Sequence, residues 1–83
     1  MNNNESKLVR AFEEGLSLEK EQIGSGLVYQ GIVEWDSMSH LFLVEAVEKE
    51  FGIELPTEKV LEMNSYDNVK SVLANTFGIT FES

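Results

Sequence analysis

The sequence predicts an all-α fold: a small four-helix bundle with a long loop between its first and second helices and a short third helix. Three observations lead there. Apolar residues recur at three- and four-residue spacing in separate stretches of the chain. Capping residues and glycines stand at the ends of those stretches. Between the first two lies a run from Leu18 to Trp35 that is punctuated by Gly24, Gly26 and Gly31 and keeps no sustained period.

The first helix is expected over about 4–16, capped by one of Asn2, Asn3 or Asn4 and buried along Leu8, Ala11, Phe12 and Leu16. Gly15 and Ser17 read as its end. In the following run Ile23, Leu27, Tyr29, Ile32 and Val33 supply apolar anchors, so the stretch reads as a long ordered loop, and ordered loops of that length are often functional. Asp36 caps the second helix, expected over 37–51, because its short carboxylate can accept from first-turn amides and meets the positive end of the helix dipole. Ser37 is then the first helical residue, a position that suits a phosphate. Leu43, Ala46, Val47 and Phe51 form its buried stripe, opposite Glu45, Glu48 and Lys49. Gly52 stops it as a left-handed residue. A third helix of about two turns, 57–63, turns Val60 and Met63 to the core. Asn64-Ser65 caps a fourth, 66–77, which buries Val69, Val72 and Leu73 and ends at Gly78. The tail Ile79-Thr80-Phe81-Glu82-Ser83 has no strand partner and reads as coil.

At 83 residues the chain has room for one small domain with a modest core. Its 15 acidic and 6 basic residues give a net charge of -9, which disfavours nucleic acid and anionic membrane surfaces and favours basic protein partners. With no cysteine there is neither a disulfide nor a thiolate of its own. No basic leader or long apolar run is present, so a cytoplasmic location and no membrane span are expected. One His and no Cys make a metal site implausible, and the carboxylates lack calcium-loop spacing.

Asp36-Ser37-Met38, opening an acidic helix that ends Glu48-Lys49-Glu50-Phe51-Gly52-Ile53-Glu54-Leu55-Pro56, resembles the acyl carrier protein family. From about Leu8 onward, the first helix, loop and Asp-Ser pair arrive at that family's spacing. The resemblance implies that Ser37 receives 4'-phosphopantetheine from coenzyme A, through a separate phosphopantetheinyl transferase and a magnesium ion. Acyl-transferring or acyl-modifying enzymes with basic docking patches would then load and use a thioester on the arm. It implies a non-catalytic carrier, expected to be monomeric, whose bundle interior can open to shelter an acyl chain. The chain departs from the family in four places. Met38 stands where leucine is usual, Glu34 and Trp35 precede the pair where many members have Leu-Gly-Ala or Leu-Gly-Leu, Phe42 stands where a polar residue is common, and Glu45 where a hydrophobic one is.

Each candidate residue also has a plainer reading. Ser37 could be an ordinary helix-start serine. Trp35 could staple back on the first helical turn near His40, or face a partner. His40, three residues past Ser37, invites a Ser–His hydrolase, but no orienting acid or oxyanion hole accompanies it, so a packing role is the expectation. Glu34, Met38, Leu41, Phe42, Glu45 and Glu48 are the candidate partner-binding residues. Between Glu34 and Glu62 eight acids face Lys49 and Lys59, a local net of 2 - 8 = -6, which would steer basic surfaces over a Debye length of about 8 Å. Met38, Leu41 and Phe42 could form an apolar docking knob beside it. An aminoacyl carrier of the same fold and an unmodified acidic adaptor remain open alternatives.

Overall fold

The structure, a computed structural model, describes residues 4–81. Four α-helices follow one another: α1 (Asn4–Leu16), α2 (Ser37–Phe51), α3 (Thr57–Glu62) and α4 (Tyr66–Phe77), with one 3₁₀ turn at Lys20–Gln22 in the long loop between α1 and α2. No sheet forms among the described residues; Val28 and Ser65 make one isolated antiparallel bridge.

The helix boundaries follow the local chemistry. Ser39 N–H donates to the Asp36 carboxylate at 2.8 Å, and Asn68 N–H to Ser65 Oγ at 3.0 Å, so both caps satisfy a donor that the helix leaves unpaired. Gly52 and Gly78 close α2 and α4 at φ 65° and 70°, left-handed values that glycine adopts without a Cβ clash. Met63 is the C-cap of α3 rather than its last residue, because only six residues separate Pro56 from the turn that feeds α4. The cap of α1 is not Asn4, which lies inside the helix and whose Nδ2 donates to Thr80 O at 2.8 Å. Asn2 and Asn3, like Glu82 and Ser83 of the tail, lie outside the described residues.

The core is built around fully buried Leu8, Phe12, Leu43, Val47, Met63, Val69 and Leu73. Phe51 and Val60 are only half-buried against it. Val44 and Tyr66, absent from the predicted stripes, are buried. Gly15 does not end α1. It is a buried helical residue at which α1 and α2 touch backbone to backbone: a Cβ built there would sit 2.5 Å from Leu43 Cα. The helix instead stops at Ser17, with φ 56°.

The long loop is held at both ends of its middle section. Tyr29 N–H donates to Asn64 O and Tyr66 N–H to Leu27 O, both at 2.9 Å, lacing the loop to the entry of α4. Leu18, Leu27 and Trp35 are buried. Val33 is not an anchor, being 90% exposed. The Trp35 N–H bonds back to Ile32 O at 3.2 Å, and that tight turn leaves Val33 and Glu34 at its outer corner.

A polar cluster ties the start of α1 to α4. Tyr66 Oη donates to Glu5 Oε2 at 2.6 Å and Lys70 Nζ lies 2.8 Å from the same oxygen, while Oε1 is sealed from solvent without a hydrogen-bond partner. Burial pushes the Glu5 carboxyl up, but the bonds from Lys70 and Tyr66 and the Lys70 charge outweigh it, and the net direction is down. Burial, and then the bond to Glu5, push the Tyr66 phenol up. A carboxyl held below its ordinary range stabilises the fold above its unfolded pKa of about 4.3 and loses that contribution as pH falls through the folded value. Glu5→Gln should therefore cost less than about 1 kcal/mol at neutral pH, since over a third of the Glu5 side chain is in water. The gap between the variant and the parent should narrow as pH falls below the unfolded value and close once it passes the folded one, read by urea unfolding across a pH series. A gap that persists in acid would mean that the ionised carboxylate contributes nothing there.

Candidate functional site

The site is assembled at the first turn of α2, where the loop hands the chain to the helix. Asp36 is extended (φ -108°, ψ -173°), and Ser37 follows as the first helical residue with an exposed side chain. The Asp36 carboxyl is held below its ordinary range by the bond from the Ser39 N–H first, then by the Ser39 side chain, with lesser help from the amides of Met38 and Asp36 itself. It is therefore a firm negative charge beside Ser37, and it offsets part of the roughly 0.3–1 kcal/mol that a helix N-terminus gives an anion. The position tolerates a phosphate more than it attracts one.

Trp35 and His40 fix where this turn sits. The indole is fully buried, edge-on to Phe12 (centroids 5.4 Å, 85°) and Tyr29 (6.2 Å, 80°), and stacked beside the His40 imidazole (6.0 Å, 22°). Trp35 precedes the cap and His40 is the fourth helical residue, which is the placement of a hydrophobic staple. The staple also carries a hydrogen bond, because Trp35 Nε1 donates to His40 Nδ1 at 2.9 Å. His40 Nε2 lies 3.0 Å from Val60 O and, with Nδ1 accepting from Trp35, is the donor in that contact. Both ring nitrogens are committed, and no lone pair is left for Ser37. The side chain links the loop, α2 and α3 in one chain of bonds. Beside it, Tyr29, His40, Val60, Leu61 and Met63 border a recess of about 100 Å³.

The other candidates separate into two groups. Glu34, Met38, Leu41, Phe42 and Glu45 are exposed, the three apolar ones by 63%, 59% and 54%. Glu48 is not on an open face: it is half-buried, and its Oε2 accepts the Leu55 N–H at 2.8 Å, holding the α2–α3 linker. Glu50 is likewise spent, with Arg10 at 3.3 Å. Leu61 on α3 is 75% exposed and Val33 on the loop is exposed as well, so exposed apolar side chains are not confined to the first turn of α2. Nothing in the spacing of α3, with only six residues, marks Leu61 as exposed; the turn hydrogen bond that displaces Val33 has no sequence signal either.

The fold and this turn together define a small all-α four-helix bundle consistent with the acyl-carrier fold, with a long α1–α2 loop and a short α3. No helix of the described residues is long and apolar enough to cross a membrane. No protein-family model matches the chain, and neither does any curated protein or solved structure.

Proposed function

We propose that the protein is an acyl carrier: Ser37 holds 4'-phosphopantetheine through its Oγ, and partner enzymes act on an acyl group carried at the end of that arm. The observation that carries this reading is the exposed Ser37 hydroxyl at the first position of a capped helix, at the end of an ordered loop in a carrier-like bundle. The residues present fit the group. No side chain is hydrogen-bonded to Ser37 in the described structure, and the helix end can face a phosphodiester. In the transfer from coenzyme A, the Ser37 Oγ would give its proton to a base of the transferase and form a phosphorus–oxygen bond as the pyrophosphate linkage of coenzyme A breaks and the adenosine bisphosphate leaves. When bound, the arm supplies the thiol that this cysteine-free chain lacks, so that the thioester chemistry is the cofactor's.

This chain's own residues position and present. Asp36 sets the start of the helix, Trp35 and His40 hold the turn against the core, and the exposed Glu34, Met38, Leu41, Phe42 and Glu45 offer a mixed apolar and acidic surface to basic enzymes such as a phosphopantetheinyl transferase. No general base is drawn from His40, whose nitrogens are both engaged. On this reading the chain is substrate and carrier, in fatty-acid, polyketide or other specialised biosynthesis; an aminoacyl cargo would use the same site.

The test is intact-mass measurement after incubation with coenzyme A, magnesium and a broad-specificity phosphopantetheinyl transferase. The parent should gain one phosphopantetheine increment, Ser37→Ala none and Ser39→Ala one. An unchanged parent mass beside an active control carrier would replace this reading with that of an unmodified acidic adaptor.

A further inference from the structure

We infer that Met38 is a redox-sensitive modification site: a peroxide converts its thioether to the sulfoxide, and the oxidised chain is a poor acceptor at Ser37. The chain has no cysteine and three methionines, so its oxidisable sulfur is all thioether. Of the two methionines among the described residues, Met63 is fully buried in the core and Met38 is 63% exposed. Exposure therefore singles out the sulfur that stands beside the candidate attachment residue.

The step balances without help from any other side chain. The Met38 sulfur takes one oxygen of hydrogen peroxide as the O–O bond breaks, and the second oxygen leaves as water with both protons; sulfur loses two electrons and the peroxide gains them. Hydrogen peroxide is neutral, so a net charge of -9 does not repel it. Methionine sulfoxide reductases return the sulfoxide to the thioether, which makes the change reversible.

Position gives the oxidation its effect, and that effect rests on the carrier reading. Met38 is the second residue of α2 and follows Ser37 directly, so a transferase that encloses Ser37 Oγ covers Met38 as well. Leu41 and Phe42, three and four residues on and both exposed, lie on the same side of the helix. The sulfoxide puts a polar oxygen at the edge of this apolar spot. Covering that oxygen without a donor costs free energy that covering the thioether does not.

The experiment treats the folded protein with dilute hydrogen peroxide, maps the oxygen increments by peptide mass spectrometry, and measures kcat/KM for phosphopantetheine transfer from coenzyme A. Met38 should oxidise at least about tenfold faster than Met63, which reacts only when the core opens. The oxidised parent should be modified about fivefold more slowly or worse, the lower end of the cost of burying an unpartnered polar group. Met38→Leu can still be oxidised at Met1 but has no sulfur beside Ser37, so its own rate should be the same before and after peroxide. Methionine sulfoxide reductase with dithiothreitol should restore the parent, and unchanged circular dichroism would establish that the oxidised chain stays folded. Equal oxidation of Met38 and Met63, or an oxidised parent modified as fast as the untreated one, would overturn the inference. An untreated parent that takes no arm would instead remove the carrier reading, and the selective oxidation of Met38 would then stand on the mapping alone.

Discussion

Trp35→Ala is expected to bring the protein to the edge of unfolding at room temperature. Truncating a buried aromatic to alanine costs about 3–5 kcal/mol, through lost burial and the cavity left behind. A chain of 83 residues has on the order of 4–12 kcal/mol in total, at the usual stability per residue. Trp35 is the largest fully buried side chain, and it contacts α1 through Phe12, the loop through Tyr29 and α2 through His40. Few neighbours can move in to fill its place, because each belongs to a different element. Urea unfolding followed by far-ultraviolet circular dichroism measures the loss without relying on the indole, the only one in the chain.

Trp35→Phe separates the two roles of the ring. It keeps much of the apolar volume but leaves His40 Nδ1 without its donor, which costs about 1–3 kcal/mol where the acceptor stays buried. In a His40→Phe background that part of the cost should disappear, giving a coupling of about 0.5–3 kcal/mol in a double-mutant cycle. Equal costs in both backgrounds would assign Trp35 to packing alone.

Trp35 also marks how far the sequence could be read. Its place before Asp36 and five residues from His40 is visible as a staple, and the structure keeps that pairing. What spacing cannot convey is that the loop folds under the helix pair, so that a residue beside an exposed cap becomes a centre of the core. The ends of α2 and α4 were legible because they are local chemistry: Asp36, Gly52, Ser65 and Gly78 act within a turn of where they stand. The acidic face was legible only as composition. Glu48 looks the same in sequence as Glu45, yet one holds Leu55 N–H across the linker and the other is exposed, a difference set by where the chain goes after Gly52. Ser37 was singled out by the resemblance of its surroundings to the carrier family; its own neighbours make legible only the helix start at which it stands.

Gly15 is the opposite case, a residue whose local meaning is reversed by a contact far along the chain. Inside a helix, Gly→Ala ordinarily stabilises by about 0.5–1 kcal/mol, because alanine restricts the unfolded chain and is the better helix former. At Gly15 the sign should invert. The new Cβ would stand 2.5 Å from Leu43 Cα, 2.8 Å from Leu43 N and 3.1 Å from Phe42 C. These are backbone atoms, with no rotamer to relieve the overlap, so α1 must move off α2 and loosen the packing of Phe12 and Val47 behind it. Overpacking of this kind costs about 1–3 kcal/mol, and Gly15→Val should cost more. For a domain of this size each kcal/mol lowers the midpoint by about 4–8 °C, so calorimetry should place Gly15→Ala at least several degrees below the parent. Gly24→Ala is the control: nothing lies within 4 Å of its added carbon and its φ is not left-handed, so it should leave the midpoint unchanged or raise it slightly. If both variants rise together, the two helices do not meet at Gly15 in solution.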